Sequence, residues 1–154
     1  MNAARPASES DLSRLAHIWY ERLALESLPR GTALRPDARQ HLEETLREWL
    51  AAPDVRIMVA EADGAVGGFA AAGIVSAPPG LLPEKRGEIR VLTLDGHAYH
   101  PGAGRTLIGA VQSWFREQGI ALVSVTVSKS NPVDQAFWRS VHGEVWSDTF
   151  WWTW

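Results

Sequence analysis

The sequence predicts an α/β or α+β domain on a mixed sheet. Three observations carry this. Apolar spacing switches along the chain between the two-residue period of strands and the longer period of helices. Asp63-Gly64, set between two apolar segments, marks an antiparallel hairpin. The stretch from Leu92 to Leu107 joins an apolar strand to a helix through Gly102-Ala103-Gly104.

The elements follow in order. Arg5-Pro6-Ala7 is a short extended start, and Ser8 with Asp11 three residues on has the spacing of a capping box. Leu12, Leu15, Ala16, Trp19 and Leu23 mark one face of a first helix, which Leu28-Pro29-Arg30-Gly31 breaks. Asp37 and Gln40 can cap a second helix, with Leu42, Leu46, Trp49 and Leu50 on its apolar face and Ala52-Pro53-Asp54 at its end. Val55, Ile57 and Val59 alternate as a strand. The return strand from Ala65 to Val75 is rich in Gly and Ala, which fits close packing, a neighbouring ligand or a weakly specified strand.

Pro78-Pro79-Gly80 to Arg86 is a loop, and Glu88 to Leu94 feeds the glycine turn. A helix follows on Leu107, Ile108, Val111, Trp114 and Phe115, ending near Gln118-Gly119. Ile120 to Val127 is apolar on both faces and predicts a central strand. Asn131 as N-cap and Pro132 at the first helical position start a last helix, with Asp134 at the dipole's positive end and Val133, Phe137 and Val141 on its buried side. Val145-Trp146 and Phe150 to Trp154 predict a closing hairpin.

Composition narrows the function. At 154 residues the chain has the size of one domain, 1–154. A net charge of -3 gives no footprint for general nucleic-acid binding. Zero cysteines exclude a disulfide framework, a zinc-thiolate site and a thiol nucleophile. No apolar run reaches membrane-spanning length, and the first ten residues lack a signal-peptide core, so no membrane partner and a cytoplasmic location are expected. Of eight tryptophans, four lie in the last nine residues.

The glycine turn is the chemical signal. Glycines let the backbone approach a ligand, and the first amides of a helix are unpaired and sit at its positive pole. A strand, a Gly-x-Gly turn and a helix start therefore make an anion site, to which Arg105 would add a charged donor. The same residues also fit a tight turn without a ligand.

This element order, with this turn at its centre, resembles the GNAT superfamily of acyl-CoA-dependent N-acetyltransferases over essentially the whole chain. Arg5-Pro6-Ala7 with Asp11-Leu12 is similar to that family's opening, and Gly102 and Gly104 fall on the glycines of its turn hallmark. The resemblance implies a GNAT-like mixed, mostly antiparallel, twisted sheet flanked by about four helices. It also implies acetyl-CoA as co-substrate. The turn that would bind its pyrophosphate through His100, Gly102, Ala103, Gly104, Arg105 and Thr106 begins at Tyr99. Leu92 and Leu94 would hold the cofactor by strand-like hydrogen bonds. The second signature of the family is matched by Asn131, Ala136, Phe137 and Trp138, and Asn131, Phe137 and Trp138 would complete the cofactor site. The match has departures: Tyr99 stands where Arg or Gln is usual, His100 replaces a Gly, and Pro101 has no N–H to donate. Trp138 takes the place of a tyrosine that reprotonates the leaving thiolate in many relatives, and an indole cannot serve as that acid.

For catalysis the resemblance assigns Glu88, matched to the base of the histone acetyltransferase branch, and the Leu94 amide as the donor that polarises the thioester carbonyl. A carboxylate beside an apolar strand can take the amine proton directly or through water; as a residue type it fits a solvated strand start equally well. His97-x-x-His100 has metal-ligand residues but no third ligand in sequence, so no metal is expected. Trp19, Tyr20, Trp49 and the terminal tryptophans fit an aromatic acceptor pocket, a core or a dimer interface. Two readings stand: an acetyltransferase acting on a primary amine of a small molecule, and an acyl-CoA-binding module without turnover. A dinucleotide unit lacks the third glycine and the acidic ribose ligand. A homodimer is a further expectation, and a small structural protein assembled through the Trp-rich tail is a further alternative.

Overall fold

Asp63 and Gly64 take φ of 53° and 77°, the two left-handed positions of a type I′ turn. They join β2 (Val55–Ala62) to β3 (Ala65–Ser76). The structure, a computed structural model, describes residues 3–97 and 100–154. Its sheet has five strands in the order β1-β2-β3-β4-β5, completed by β1 (Ala3–Pro6), β4 (Lys85–Leu94) and β5 (Val123–Val125). All neighbours are antiparallel except β4 and β5, which run parallel. The helices are α1 (Leu12–Leu25), α2 (Ala38–Ala51), α3 (Ala103–Glu117) and α4 (Pro132–Ser140). Among the described residues no helix is long and apolar enough to cross a membrane.

Strand alternation divides the core into two layers. On one face Ile57, Val59, Phe69, Ala71 and Val91 pack under Leu12, Leu15 and Ala16 of α1 and Leu42 and Leu46 of α2. On the other, Met58, Ala60, Ala70, Ala72 and Ile89 pack under Leu107, Ile108, Val111, Trp114 and Phe115 of α3. The small residues of β3 serve close packing. A Cβ on Gly68 would lie 2.5 Å from Leu94 Cδ2, and one on Gly73 would lie 2.7 Å from the Arg90 guanidinium.

The start of α1 is held as its spacing predicts. The Ser8 amide donates to Asp11 Oδ2 at 2.8 Å, and Arg5 donates to both Asp11 oxygens at 2.8 and 3.0 Å. The Arg5 hydrogen bonds, with those from Ser8, outweigh burial and pull the Asp11 carboxyl from 3.8 down to about 2. Because the folded value is the lower one, this contribution to stability is present above the unfolded value and is lost as pH falls from about 4 towards 2. Its size is about 1–2 kcal/mol after screening at the half-exposed Arg5. Urea unfolding at pH 6 and pH 3 should therefore show a gap between the protein and Asp11→Asn that narrows at the lower pH. An unchanged gap would remove this pair from the acid response.

Three expectations are corrected. β5 has three residues and lies at the sheet edge, where Leu122 and Val123 are exposed, so the apolar stretch Ile120 to Val127 is not a central strand. Residues 143–154 form no strand, and Trp146, Phe150, Trp151, Trp152 and Trp154 are exposed. The segment mixes β-forming aromatics with Ser147-Asp148-Thr149 and three consecutive aromatics, so it offers no two-residue period to pair against an edge. Finally, α4 buries no residue fully: Val133 is exposed, and only Phe137 and Trp138 lean on the α3 layer.

Candidate active site

β5 accompanies β4 only from Gly87 to Ile89, so β4 runs from Arg90 to Leu94 with no strand on its outer side. At the paired end the Gly87 amide donates across that side to Leu122 O at 2.8 Å. Past the other end, the Asp95 amide donates inward to Gly67 O at 2.8 Å. Counting back from Asp95, alternation turns the Thr93 amide inward and the Leu92 and Leu94 amides outward, onto the open edge. The parity works because Arg90 is an extra residue: Ile89 pairs with Ala72 and Val91 with Ala71. This bulge also puts Leu92 and Leu94 with Ile89 on the α3 face.

The chain then turns into α3. Asp95 accepts from the His97 amide at 2.8 Å and forms an ion pair with Arg14 of α1, which ties the turn to the first helix. Tyr99 lies outside the described residues. Gly102 stands at the N-cap with φ +86°, a left-handed conformation that suits glycine. The Ala103 amide is used by His100 O at 3.1 Å, and the Thr106 amide and hydroxyl are both used by Gly102 O at 3.0 and 3.1 Å. Pro101 has no N–H. Of the expected donors in the first turn of α3, the amides of Gly104 and Arg105 carry no backbone hydrogen bond among the described residues. They point along the helix's positive pole.

Gly104 is where three elements meet. A Cβ there would lie 3.2 Å from Phe137 Cε2 and 4.0 Å from Leu94 Cδ1. The structure thus brings together Leu94, Gly104 and Phe137 from distant parts of the sequence, with Trp138 packed edge-to-face on Phe137 at 5.2 Å. The Arg105 guanidinium donates to Ser140 Oγ at 3.0 Å. Asn131 is likewise occupied. Its Oδ1 accepts from the Asp134 amide at 3.1 Å as the N-cap of α4 and its Nδ2 donates to the Asp134 carboxylate at 3.1 Å. Asn131 borders an open depression of about 400 Å³ shared with Arg22 and Glu26 of α1, away from the glycine turn.

Glu88 lies on the opposite face from Leu92 and Leu94, because it alternates with Gly87, whose Cβ position faces Phe115 of α3. It is six residues from Leu94, roughly 20 Å along the strand. Leu92, about 13 Å away on the same scale, is the nearer outward amide. Beside Glu88 stands Arg90, with Nε 3.6 Å from Oε1 and its guanidinium 5.1 Å from the Trp49 ring centroid. Trp49 in turn packs on Trp19 at 5.5 Å. Sequence reasoning left Trp19 and Trp49 between an acceptor pocket, a core and a dimer interface, and missed Arg90; a cation two residues from a candidate base on one strand was the available signal. His97 and His100 gather no metal set: among the described residues no three of His, Cys, Asp and Glu could hold an ion.

Residues 19–143 match the model of the Acetyltransferase (GNAT) family. Among solved structures, a predicted acetyltransferase with acetyl-CoA from Clostridium acetobutylicum is 17% identical, with a TM-score of 0.79 over 99% of this chain and 96% of that one. An aminoglycoside N-acetyltransferase in complex with CoA is 18% identical, with a TM-score of 0.80 over 99% and 94%. An aminoglycoside antibiotic 6'-N-acetyltransferase from Acinetobacter baumannii is 14% identical, with a TM-score of 0.76 over 99% and 97%. At these identities the likeness is one of fold. A search of curated protein sequences finds no match to the chain.

Proposed function

Since the chain belongs to the GNAT acetyltransferase family, we propose that it moves an acetyl group from acetyl-CoA to a primary amine of a small molecule. The whole chain acts as one such unit. The observation that carries this reading is the continuity of the open β4 edge with the free amides that start α3. An extended pantetheine arm can add to the Leu92 and Leu94 edge as a strand would. The diphosphate then reaches the Gly104 and Arg105 amides at the helix pole. The solved relatives with acetyl-CoA or CoA support the same cofactor.

In the reaction the amine nitrogen attacks the thioester carbonyl carbon, the C–S bond breaks, and coenzyme A leaves as the thiolate. An outward β4 amide stabilises the oxygen as charge builds on it. We assign this to Leu92, the one nearer Glu88, and give Leu94 the pantetheine arm. The amine proton passes to Glu88 through water. Aminoglycosides are the acceptors named for several structural relatives, which supports an amine on a small molecule as the acceptor class.

Trp138 favours a second reading, a domain that binds acyl-CoA and turns it over slowly, because an indole cannot return a proton to the thiolate. Calorimetric titration with acetyl-CoA, beside NAD as control, is the first test. Micromolar binding of acetyl-CoA alone is expected, and no binding would overturn both readings. Thiol release with an amine panel then separates them: turnover supports the transferase, and tight binding without release supports the module.

A further inference from the structure

We propose that the acceptor is an amine carrying a carboxylate on the same carbon, as in a free amino acid, with Arg90 as the residue that selects it. The proposal rests on the transferase reading of this site.

Arg90 is the bulged residue of β4, and the bulge sets its side chain on the α1–α2 face beside Trp49. Its guanidinium lies against the Trp49 ring at 5.1 Å and over Gly73, where a Cβ would be 2.7 Å away. Stacking of this kind uses the faces of the guanidinium and leaves its in-plane N–H groups for a planar acceptor. Among the described residues the Arg90 guanidinium makes no hydrogen bond, and its one ion pair, to Glu88, is 3.6 Å long. The side chain is 22% exposed, so it is held in place yet open to a ligand from one side.

Arg86 adds a second observation. By alternation it shares this face with Glu88, and its Nε is buried with no hydrogen-bond partner. A buried donor without a partner carries a desolvation cost that an incoming oxyanion would remove. Arg86 and Arg90 thus stand on either side of Glu88 along β4, on a face that also carries the buried hydroxyl of Thr93. That balance disfavours a polycationic amine and suits a molecule with one ammonium group and one carboxylate. The separation of Arg90 from Glu88 also fits: a carboxylate on Arg90 would place an amine attached to the same carbon beside Glu88.

Matched pairs test this. Acetyl transfer is measured with phenylalanine against phenethylamine, leucine against isopentylamine, and spermidine as the polycation. The amino acid should exceed its decarboxylated partner in kcat/KM by about tenfold or more, the effect of a charge-assisted contact. Arg90→Gln should erase that ratio by raising KM for the amino acid with little change in kcat, and Arg90→Lys should retain part of it. Calorimetric binding of the same compounds to the protein reads the anion site without turnover. Selective amino-acid binding that Arg90→Gln removes, with no acetyl transfer, would keep Arg90 as the carboxylate site and lose the transferase reading. Transfer to the amines regardless of the carboxylate would do the reverse. A preference for spermidine, or an equal loss on both members of a pair in Arg90→Gln, would overturn the inference, as would absence of selective binding in either assay.

Discussion

Gly104→Glu is expected to raise the Kd for acetyl-CoA by about a hundredfold or more. The new carboxylate would project from the start of α3 into the space assigned to the diphosphate, and like charges held together cost several kcal/mol. The helix pole that favours a phosphate there would then be neutralised by the protein's own side chain. The Cβ alone has a separate effect, since it would sit 3.2 Å from the Phe137 ring. Gly104→Ala isolates that part: it presses on Phe137 without adding charge, and it should change Kd by less than about tenfold. Thermal melts of both variants show whether the protein still folds. A Gly104→Glu protein that melts normally and binds acetyl-CoA within a few-fold of wild type would place the cofactor elsewhere.

The parts of this site that local chemistry dictates were legible in the sequence. Asp63-Gly64 gives its hairpin because only certain residues accept two consecutive left-handed conformations. Asn131-Pro132 gives a helix start because a side-chain oxygen and a missing N–H both suit that position. The Gly102-Ala103-Gly104 turn and the periodic apolar face of α3 were readable for the same reason. What was hidden depends on partners far along the chain. The bulge at Arg90 lies in a stretch where Val91, Leu92, Thr93 and Leu94 all tolerate burial, so nothing in the pattern marks the change of face. Arg14 with Asp95 and Arg22 with Asp134 join residues 81 and 112 positions apart. The hydrogen bond from Arg105 to Ser140 of α4 likewise joins residues 35 positions apart. The aromatic tail was over-read because β-propensity describes how a residue fits a pleated surface and does not supply the neighbouring strand.

The bulge has a consequence for chemistry. Without the extra residue, Leu92 and Leu94 would fall on the face of Glu88, and their amides would turn inward to β3. With it, the edge from Arg90 to Leu94 offers outward amides on one side of the sheet, while Glu88 and Arg90 face the α1–α2 layer on the other. The cofactor and the acceptor can therefore approach β4 from different directions. The proposed direct attack, with no covalent enzyme intermediate, would use that arrangement, and a chain without cysteine has no thiol to form one.

Glu88→Gln should separate the two halves of this proposal. The substitution keeps size and hydrogen-bonding capacity but removes the carboxylate proposed to accept the amine proton. Loss of a general base typically costs about a hundredfold or more in kcat, and that is the fall expected at neutral pH. Acetyl-CoA affinity should stay within about threefold of wild type, because Glu88 lies on the face away from Leu92 and Leu94. The pH–rate profile carries the decisive information. With Glu88 as base the pH–rate profile of the wild type should differ in shape from that of the variant. At high pH, where more of the amine is free base, the two rates should converge. A variant with reduced kcat but an unchanged profile would make Glu88 a partner that positions Arg90, and the proton would have to leave directly to solvent.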